Sequence, residues 1–557
     1  MSLDLQVPGT RPIDSDEHGE VFTRRWVVEL ILDLAGYTAD RDLAAMTAVE
    51  PSCGAAAFLG TMVERLLTSC RQHGSDIASA SNAIRAFDLV EDNAEIARKG
   101  IVTQLIDSGV GPRDAESLAS AWVTSGDFLL ADHDEESVDF VLGNPPYIRL
   151  ENVPAERNAA YRQACPTMRG RSDIFIGFIE MGLRLLRPEG ALGFIVADRW
   201  MRNQYGAALR SLVSERFSVD AVIEMHDVDA FEEEVSAYPA VTVIRRQPQV
   251  RPLIASTTRS FGEHDARQLT AWASSSRPEP LVLDGVHAAT LPGWFGGEES
   301  WPSATPEQLA VIADLEQRCP PLEDQSTGTK VGIGLATGAD EVYITRDSSV
   351  VEPERMLPLV MARDLASGTI AWSGTYLVNP WDDDGLVNLD DWPLLREYLE
   401  AHGDRLRARH TAVKAPGRWH KTIDRVSPGL RAKPKLLLPE MKASAHPVLD
   451  EGAYYPHHNL YHLTSSGWDL EVLGGLMLSD VANLFVGAYC VKMRGGCYRF
   501  QAQYLRRIRV PRLDQVDARS RRALAKAFRL RDVEAATAVA LPLYGLAILP
   551  PARPRNR

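Results

Sequence analysis

A strand-like apolar run, Val138-Asp139-Phe140-Val141-Leu142, is followed at once by Gly143-Asn144-Pro145-Pro146-Tyr147. Two consecutive prolines lack N–H groups and have fixed φ, so they lead the chain out of a sheet and set the directions of the neighbouring carbonyls. The Asn144 side-chain oxygen and the Pro145 carbonyl are then two fixed acceptors, matching the two N–H bonds of a planar amino or amide group. Accepting both bonds draws the nitrogen toward a tetrahedral shape and frees its lone pair for attack. Tyr147 adds a flat face for the ring that carries the nitrogen. The plain alternative is a Pro-Pro turn leaving a core strand, and the neighbouring motifs argue against it.

Those motifs place acids at the ends of other predicted strands. Val49-Glu50-Pro51-Ser52-Cys53-Gly54-Ala55-Ala56 puts a carboxylate, a turn and small residues before a helix, so a ligand can lie against the backbone at Ser52 and Gly54 and near the helix N-terminus. Phe87-Asp88-Leu89 ends the next strand, and an acid there suits the two hydroxyls of a ribose. Gly126-Asp127-Phe128 follows a third short apolar patch and offers a carboxylate for an exocyclic amino group beside an aromatic ring. Three acids at successive strand ends outline a nucleoside-shaped pocket.

The elements that must position these residues alternate. Apolar runs at 47–50, 84–89, 138–143, 192–197, 219–225 and 241–245 read as strands, and 56–67, 93–105, 174–186 and 207–217 carry the three- and four-residue spacing of helices. That alternation predicts a parallel α/β sheet over about residues 20–246. Segment 247–306, rich in Pro, Ser, Gly and Trp, reads as a connector or irregular start, which places the domain boundary near 250. Beyond it, 332–345, 435–439 and 489–500 are the expected strand regions.

With 45% apolar and 24% charged residues over 557 positions, the chain is globular and too long for one core. No stretch reaches about eighteen uncharged apolar residues and the first twenty lack signal-peptide order, so a cytoplasmic protein without a membrane segment is expected. The six cysteines form no CxxC pair, which supports neither a disulfide framework nor a zinc ribbon. The net charge of −15 divides unevenly: residues 1–400 hold 33 Lys and Arg against 63 Asp and Glu, whereas 401–557 hold 27 against 12. Ten basic residues between 401 and 435, interleaved with His402, His410, Trp419 and His420, read as a phosphate-contacting surface rather than a merely solvated face. Arg418, Lys421, Arg425, Lys433 and Lys435 are its candidates, joined by Arg494 further on.

In order and spacing, EPSCGAAAFL, AFDLVEDNAEIAR, SGDFLL and FVLGNPPYI resemble the S-adenosylmethionine-dependent amino-methyltransferases, specifically the gamma-class N6-adenine DNA methyltransferases of type II restriction–modification systems. The resemblance covers roughly 19–246. It implies a Rossmann-like seven-stranded methyltransferase sheet in a catalytic domain over 1–250, followed by a mixed α/β target-recognition domain over 251–557. It further implies that Thr23, Glu50, Ser52, Gly54, Asp88, Asp127, Phe128 and Asn144 hold S-adenosyl-L-methionine. Asn144, Pro145, Pro146 and Tyr147 would hold the target amine, and Phe231 would pack on an extruded base. Double-stranded DNA is the implied partner, with a separate cognate restriction endonuclease as companion. Ala56 departs from the family, which often has a second glycine there. N4-cytosine methylation, protein-glutamine methylation and a non-catalytic DNA-specificity protein are the alternatives; the basic C-terminal half argues against the second and the intact motifs against the third. No metal is expected, because His457, His458 and His462 have no cysteine or carboxylate at ligand spacing. Glu440-Met441-Lys442 has the E-x-K form of a nuclease site but lacks a preceding Pro-Asp partner, so no built-in nuclease is expected.

Overall fold

The computed structural model describes residues 22–233, 238–277, 279–427, 429–493 and 497–551. Residues 19–21, 234–237 and 494–496, the last group including the candidate phosphate contact Arg494, lie outside the described residues. Two compact units divide the chain, Met1–Ala310 and Val311–Arg557.

Among the described residues the first unit is built on one mixed sheet of ten strands: β1 (Ala48–Glu50), β2 (Ile84–Asp88), β3 (Val123–Ser125), β4 (Val138–Gly143), β5 (Leu186–Ala197), β6 (Ser218–Glu224), β7 (Pro239–Arg245), β8 (Leu253–Thr257), β9 (Leu281–Val282) and β10 (Val286–Thr290). Their order is β3-β2-β1-β4-β5-β7-β6-β8-β10-β9. The first seven are the expected sheet, with β7 antiparallel to both β5 and β6. The order reverses between β1 and β4, which pair in parallel with Val49 opposite Val141. Such a switch point opens a crevice outside the carboxyl ends of the strands, because the crossover helices leave in opposite directions.

Helices bury apolar stripes on this sheet. The helix Arg25–Ala35 turns Val27, Val28, Ile31 and Leu32 inward, packs against β5 and β7, and stops at Gly36, whose φ of 83° lets its N–H cap the last turn. The helix Phe175–Leu185 is buried on nearly every side and packs on β4 and β5.

The sheet runs past the expected boundary. Segment 247–306 is not a plain connector: it supplies β8, which pairs with β6, then the helix Glu263–Ala273, β9 and β10. The unit therefore ends at Ala310 rather than near 250. These strands are two to five residues long and use small apolar side chains, Ala255 and Ala288 among them, so they leave no periodic signal.

Among the described residues the second unit carries three smaller sheets. One has β11 (Lys330–Ile333), β15 (Lys435–Pro439), β17 (Val448–Asp450) and β19 (Leu460–Thr464), another β12 (Ile344–Thr345), β13 (Met356–Val360), β14 (Tyr376–Val378) and β18 (Tyr455–Pro456), and the third β16 (Met441–Lys442), β20 (Val491–Lys492) and β21 (Tyr498–Arg499). The expected strand at 332–345 breaks after Ile333, because Gly334 lies so close to the chain at His457 that a Cβ would sit 2.1 Å from its carbonyl oxygen. A short helix, Asp340–Tyr343, precedes β12. The expected strand at 489–500 begins as the end of a helix, Asp480–Tyr489, and only then pairs as β20 and β21. Among the described residues no single helix is long and apolar enough to cross a membrane.

One candidate phosphate contact is corrected here. Lys435 is 0% exposed: its Nζ lies 2.6 Å from the buried Asp450 carboxylate and donates to the carbonyls of Leu430, Arg431 and Lys433 at 3.0–3.2 Å. Burial lowers its pKa and the bond to Asp450 opposes that shift. It clamps the 430–433 turn to β17 and cannot reach a phosphate. Lys435→Met strands the buried Asp450 charge and is expected to cost about 3–5 kcal/mol. Adding Asp450→Asn should recover part of that loss in urea unfolding; a near-neutral Lys435→Met would refute the clamp.

Candidate active site

The carboxyl ends of β1, β2, β3 and β4 open on one cavity of about 110 Å³ beside the switch point. Thr23, Glu50, Ser52, Gly54, Asp88, Asp127, Phe128 and Asn144 all line it, together with Pro146. Every residue assigned to the cofactor from the sequence is thus brought to one place.

Asp88 is 5% exposed and its carboxylate accepts the N–H of Gly54 at 2.8 Å and of Val90 at 2.9 Å. It ties the loop after β1 to the start of the helix Glu91–Asp107. That loop is left-handed at two places, Gly54 (φ 47°) and Ala56 (φ 73°). The alanine therefore occupies the backbone region in which its Cβ costs roughly 1–2 kcal/mol. It is held there by its own N–H to the Cys53 carbonyl and by its carbonyl, which accepts from Gly60 at the head of the next helix.

Glu50 is 1% exposed, and one carboxylate oxygen, Oε2, has no hydrogen-bond partner. Burial first, and then the neighbouring Asp88, push its pKa well above the usual range, while the Leu59 backbone N–H opposes the shift. A buried acceptor without a partner is costly, so this wall of the cavity is complementary to a donor such as a hydroxyl. Asp127 accepts from the Leu129 N–H at 3.1 Å and from the Tyr161 hydroxyl at 2.7 Å, with Arg157 at 3.9 Å. Phe128 is buried and stacks on Phe178 at 5.6 Å.

Asn144 follows β4, and its Nδ2 donates to Thr23 Oγ1 at 3.1 Å. A carboxamide engaged through nitrogen offers its oxygen, an acceptor, to a second partner. Thr23 belongs to a short antiparallel bridge with Phe231, reinforced by Arg24 N–H to Ala230 O and Glu232 N–H to Phe22 O. The same bridge brings Phe231 to Tyr147, edge to face with centroids 6.2 Å apart. The Tyr147 hydroxyl reaches the Ile195 carbonyl on β5 at 3.3 Å. Pro145 is buried.

Phe22, Ile148, Tyr161, Ile174 and Phe178 also line the cavity and were not expected. Only Tyr161, on the helix Ala155–Ala164, carries a polar group, and no local pattern singles it out because its partner Asp127 lies 34 residues away. The two neighbouring loops are braced by buried carboxylates: Asp173 accepts from Arg199 Nε and Nη2, each at 2.9 Å, and from the Tyr205 hydroxyl at 2.8 Å, while Asp198 pairs with Arg202 and His226.

A family model described as Eco57I restriction-modification methylase matches residues 72–231. The type II methyltransferase M.PaeR7I of Pseudomonas aeruginosa is 45% identical over 536 residues, spanning 95% of this chain and 92% of that protein. M.XhoI of Xanthomonas vasicola is 43% identical across 95% of this chain and 98% of its own length. The chain belongs to the type II methyltransferases of restriction–modification systems. In fold it is similar to the restriction–modification enzyme MmeI, solved in complex with DNA, at 13% identity and a TM-score of 0.52 over 93% of this chain and 72% of that one.

In the second unit of the methyltransferase, Arg418, Arg425 and Lys433 are exposed and Lys421 is half-buried. Arg418 and Arg425 both lie over the Trp381 ring, at 5.9 and 6.0 Å. Other members of the basic cluster are already paired, Arg405 with Glu341 and Arg407 with Glu400.

The raised Glu50 pKa carries a sign. An acid that holds its proton more tightly when folded costs stability as pH rises above its unfolded value, 4.5. Glu50→Gln should therefore stabilise the ligand-free methyltransferase at pH 8 more than at pH 5. Thermal unfolding at both values checks this; an equal shift at the two would refute it.

Proposed function

We propose that the methyltransferase transfers the methyl group of S-adenosyl-L-methionine to N6 of an adenine turned out of double-stranded DNA at a specific site. The observation that carries this reading is the convergence of Glu50, Asp88, Asp127 and Asn144 on one cavity, with Tyr147 and Phe231 paired beside it. The unpartnered Glu50 oxygen, the Asp88-held loop and the aromatic wall at Phe128 fit a nucleoside with free hydroxyls. When bound there, S-adenosyl-L-methionine supplies an electrophilic methyl group on a sulfonium.

The chain's own residues do the rest. Asp88, whose carboxylate also keeps Gly54 in position, accepts ribose hydroxyls, Glu50 lines the cavity beside it, and Asp127 accepts from an exocyclic amine. Ser52 and Gly54 present backbone, and Thr23 stands near the methionine end. Asn144 and the Pro145 carbonyl accept the two N–H bonds of the target amine. Adenine N6 is conjugated with its ring and hidden in the stack, so it must be extruded at a cost of a few kcal/mol. Stacking on an aromatic is worth about 1–3 kcal/mol per base, and Tyr147 and Phe231 offset the cost by exchanging their contact with each other for one with the base. The acceleration then comes from positioning and preorganised acceptors. The second unit recognises the site, and a separate endonuclease is the companion expected of such an enzyme.

Asn144→Ala should lower kcat by at least about a hundredfold, as loss of one preorganised polar contact does, while the Kd for S-adenosyl-L-methionine changes much less; near-normal turnover would reject the assignment. Mass spectrometry of nucleosides from methylated product should show N6-methyladenine. Finding N4-methylcytosine instead would transfer the same geometry to the cytosine amine.

Neutralising Arg418, Lys421 and Arg425 together should weaken binding to all DNA sequences alike. The log–log salt slope should flatten by about one unit per lost phosphate contact. An unchanged affinity and slope would mean the DNA path runs elsewhere.

A further inference from the structure

Histidines 457 and 458 have a carboxylate beside them that the sequence does not reveal. Asp340, 117 positions earlier, places Oδ2 at 3.2 Å from His457 Nε2. The two imidazoles are adjacent, with ring centroids 4.0 Å apart. One donor atom from each of Asp340, His457 and His458 falls within 4.8 Å of the others.

The backbone around the cluster is closely tied. Gly334 presses on the His457 carbonyl, the Leu335 N–H donates to Pro456 O, and the His458 N–H donates to Leu335 O. The His457 N–H donates in turn to Val360 O. Asp340 is oriented by the Thr337 hydroxyl, which donates to Oδ1 at 2.5 Å, the kind of supporting bond that aims a metal-binding carboxylate.

The protein satisfies this cluster only in part. Nδ1 of His457 and Nδ1 of His458 are both buried without a hydrogen-bond partner. The His457 side chain is 4% exposed and that of Asp340 45%, so the cluster has a buried side and an open side.

We propose that Asp340, His457 and His458 form a binding site for one divalent transition-metal ion of the Zn²⁺ type, with solvent completing its coordination on the Asp340 side. Bond lengths near 2.0–2.2 Å at tetrahedral angles separate two ligand atoms by about 3.3–3.5 Å, close to the observed 3.2 Å. Two imidazoles and a carboxylate favour such an ion over Mg²⁺ or Ca²⁺, which prefer all-oxygen shells. Bound, the ion fastens the loop at Asp340 to the crossing between β18 and β19. The site lies outside the methyl-transfer cavity, and its existence does not depend on the reading given above.

The test uses the full chain, stripped with a chelator and titrated with Co²⁺ alone, then with Zn²⁺ as competitor. One Co²⁺ per chain should bind, with visible absorption that Zn²⁺ abolishes. Asp340→Asn and His458→Gln should each weaken Co²⁺ binding by more than about tenfold while circular dichroism stays native. His226→Gln, in the separate Asp198–Glu224–His226 cluster, should leave it unchanged. Zn²⁺ should also raise the unfolding midpoint of the parent chain and not of the two variants. Absence of saturable Co²⁺ binding, or binding lost with His226 but indifferent to Asp340 and His458, would overturn the proposal.

Discussion

Two buried carboxylates line one cavity, and much of the loop structure around it is arranged around that cost. Asp88 spends its charge on the backbone, accepting two N–H groups and so locking the loop that follows β1. Glu50, opposite Ala86 in the register of β1 and β2, keeps an oxygen without a partner and holds its proton unusually tightly. The pair is unfavourable in the bare protein, and a ligand that donates hydroxyls would offset that cost. Binding sites often carry such local cost, because groups satisfied in advance by the protein are not available to a ligand.

The loop Asn144–Tyr147 depends on a different constraint, a bridge between chain segments far apart in sequence. Thr23 meets Asn144 across 121 residues and Phe231 through a backbone bridge, so the segment before the helix Arg25–Ala35 links the cavity to the aromatic pair. β4 and β5 supply a firm floor: Gly143 pairs with Phe194, and the Tyr147 hydroxyl reaches Ile195 one residue beyond. A loop with two prolines is stiff on its own, but its aim comes from these contacts.

In the second unit, counting charges overstates the surface offered to a polyanion. Lys435 is spent on Asp450, Arg405 and Arg407 on glutamates, and Arg409 on the carbonyls of Trp419 and Lys421. Those left exposed, Lys414, Arg418, Arg425, Arg431 and Lys433, are a smaller set. Arginines over Trp381 present their charge on a flat aromatic support, which limits the freedom lost on meeting a phosphate.

The alternation of apolar runs and helical stretches over residues 20–246 was enough to predict the α/β sheet, because a buried parallel strand needs a continuous apolar run and its crossover helix an amphipathic one. The acids at strand ends and Asn144-Pro145-Pro146-Tyr147 were legible for the same reason: each sits directly after such a run, and a parallel sheet brings all such ends to one edge. What stayed hidden depends on pairings between distant residues. β8, β9 and β10 are short and rich in small residues, and only their partner β6 makes them strands. Lys435 reads as a surface cation until Asp450 is placed beside it, and Tyr161 as an ordinary helix residue until Asp127 is. Asp340 and His457 show no relation across 117 positions, since ligand spacing in sequence is informative only when one local element carries all the ligands. Composition and periodicity reach as far as the next turn; partners brought together by the sheet order are decided by the tertiary structure alone.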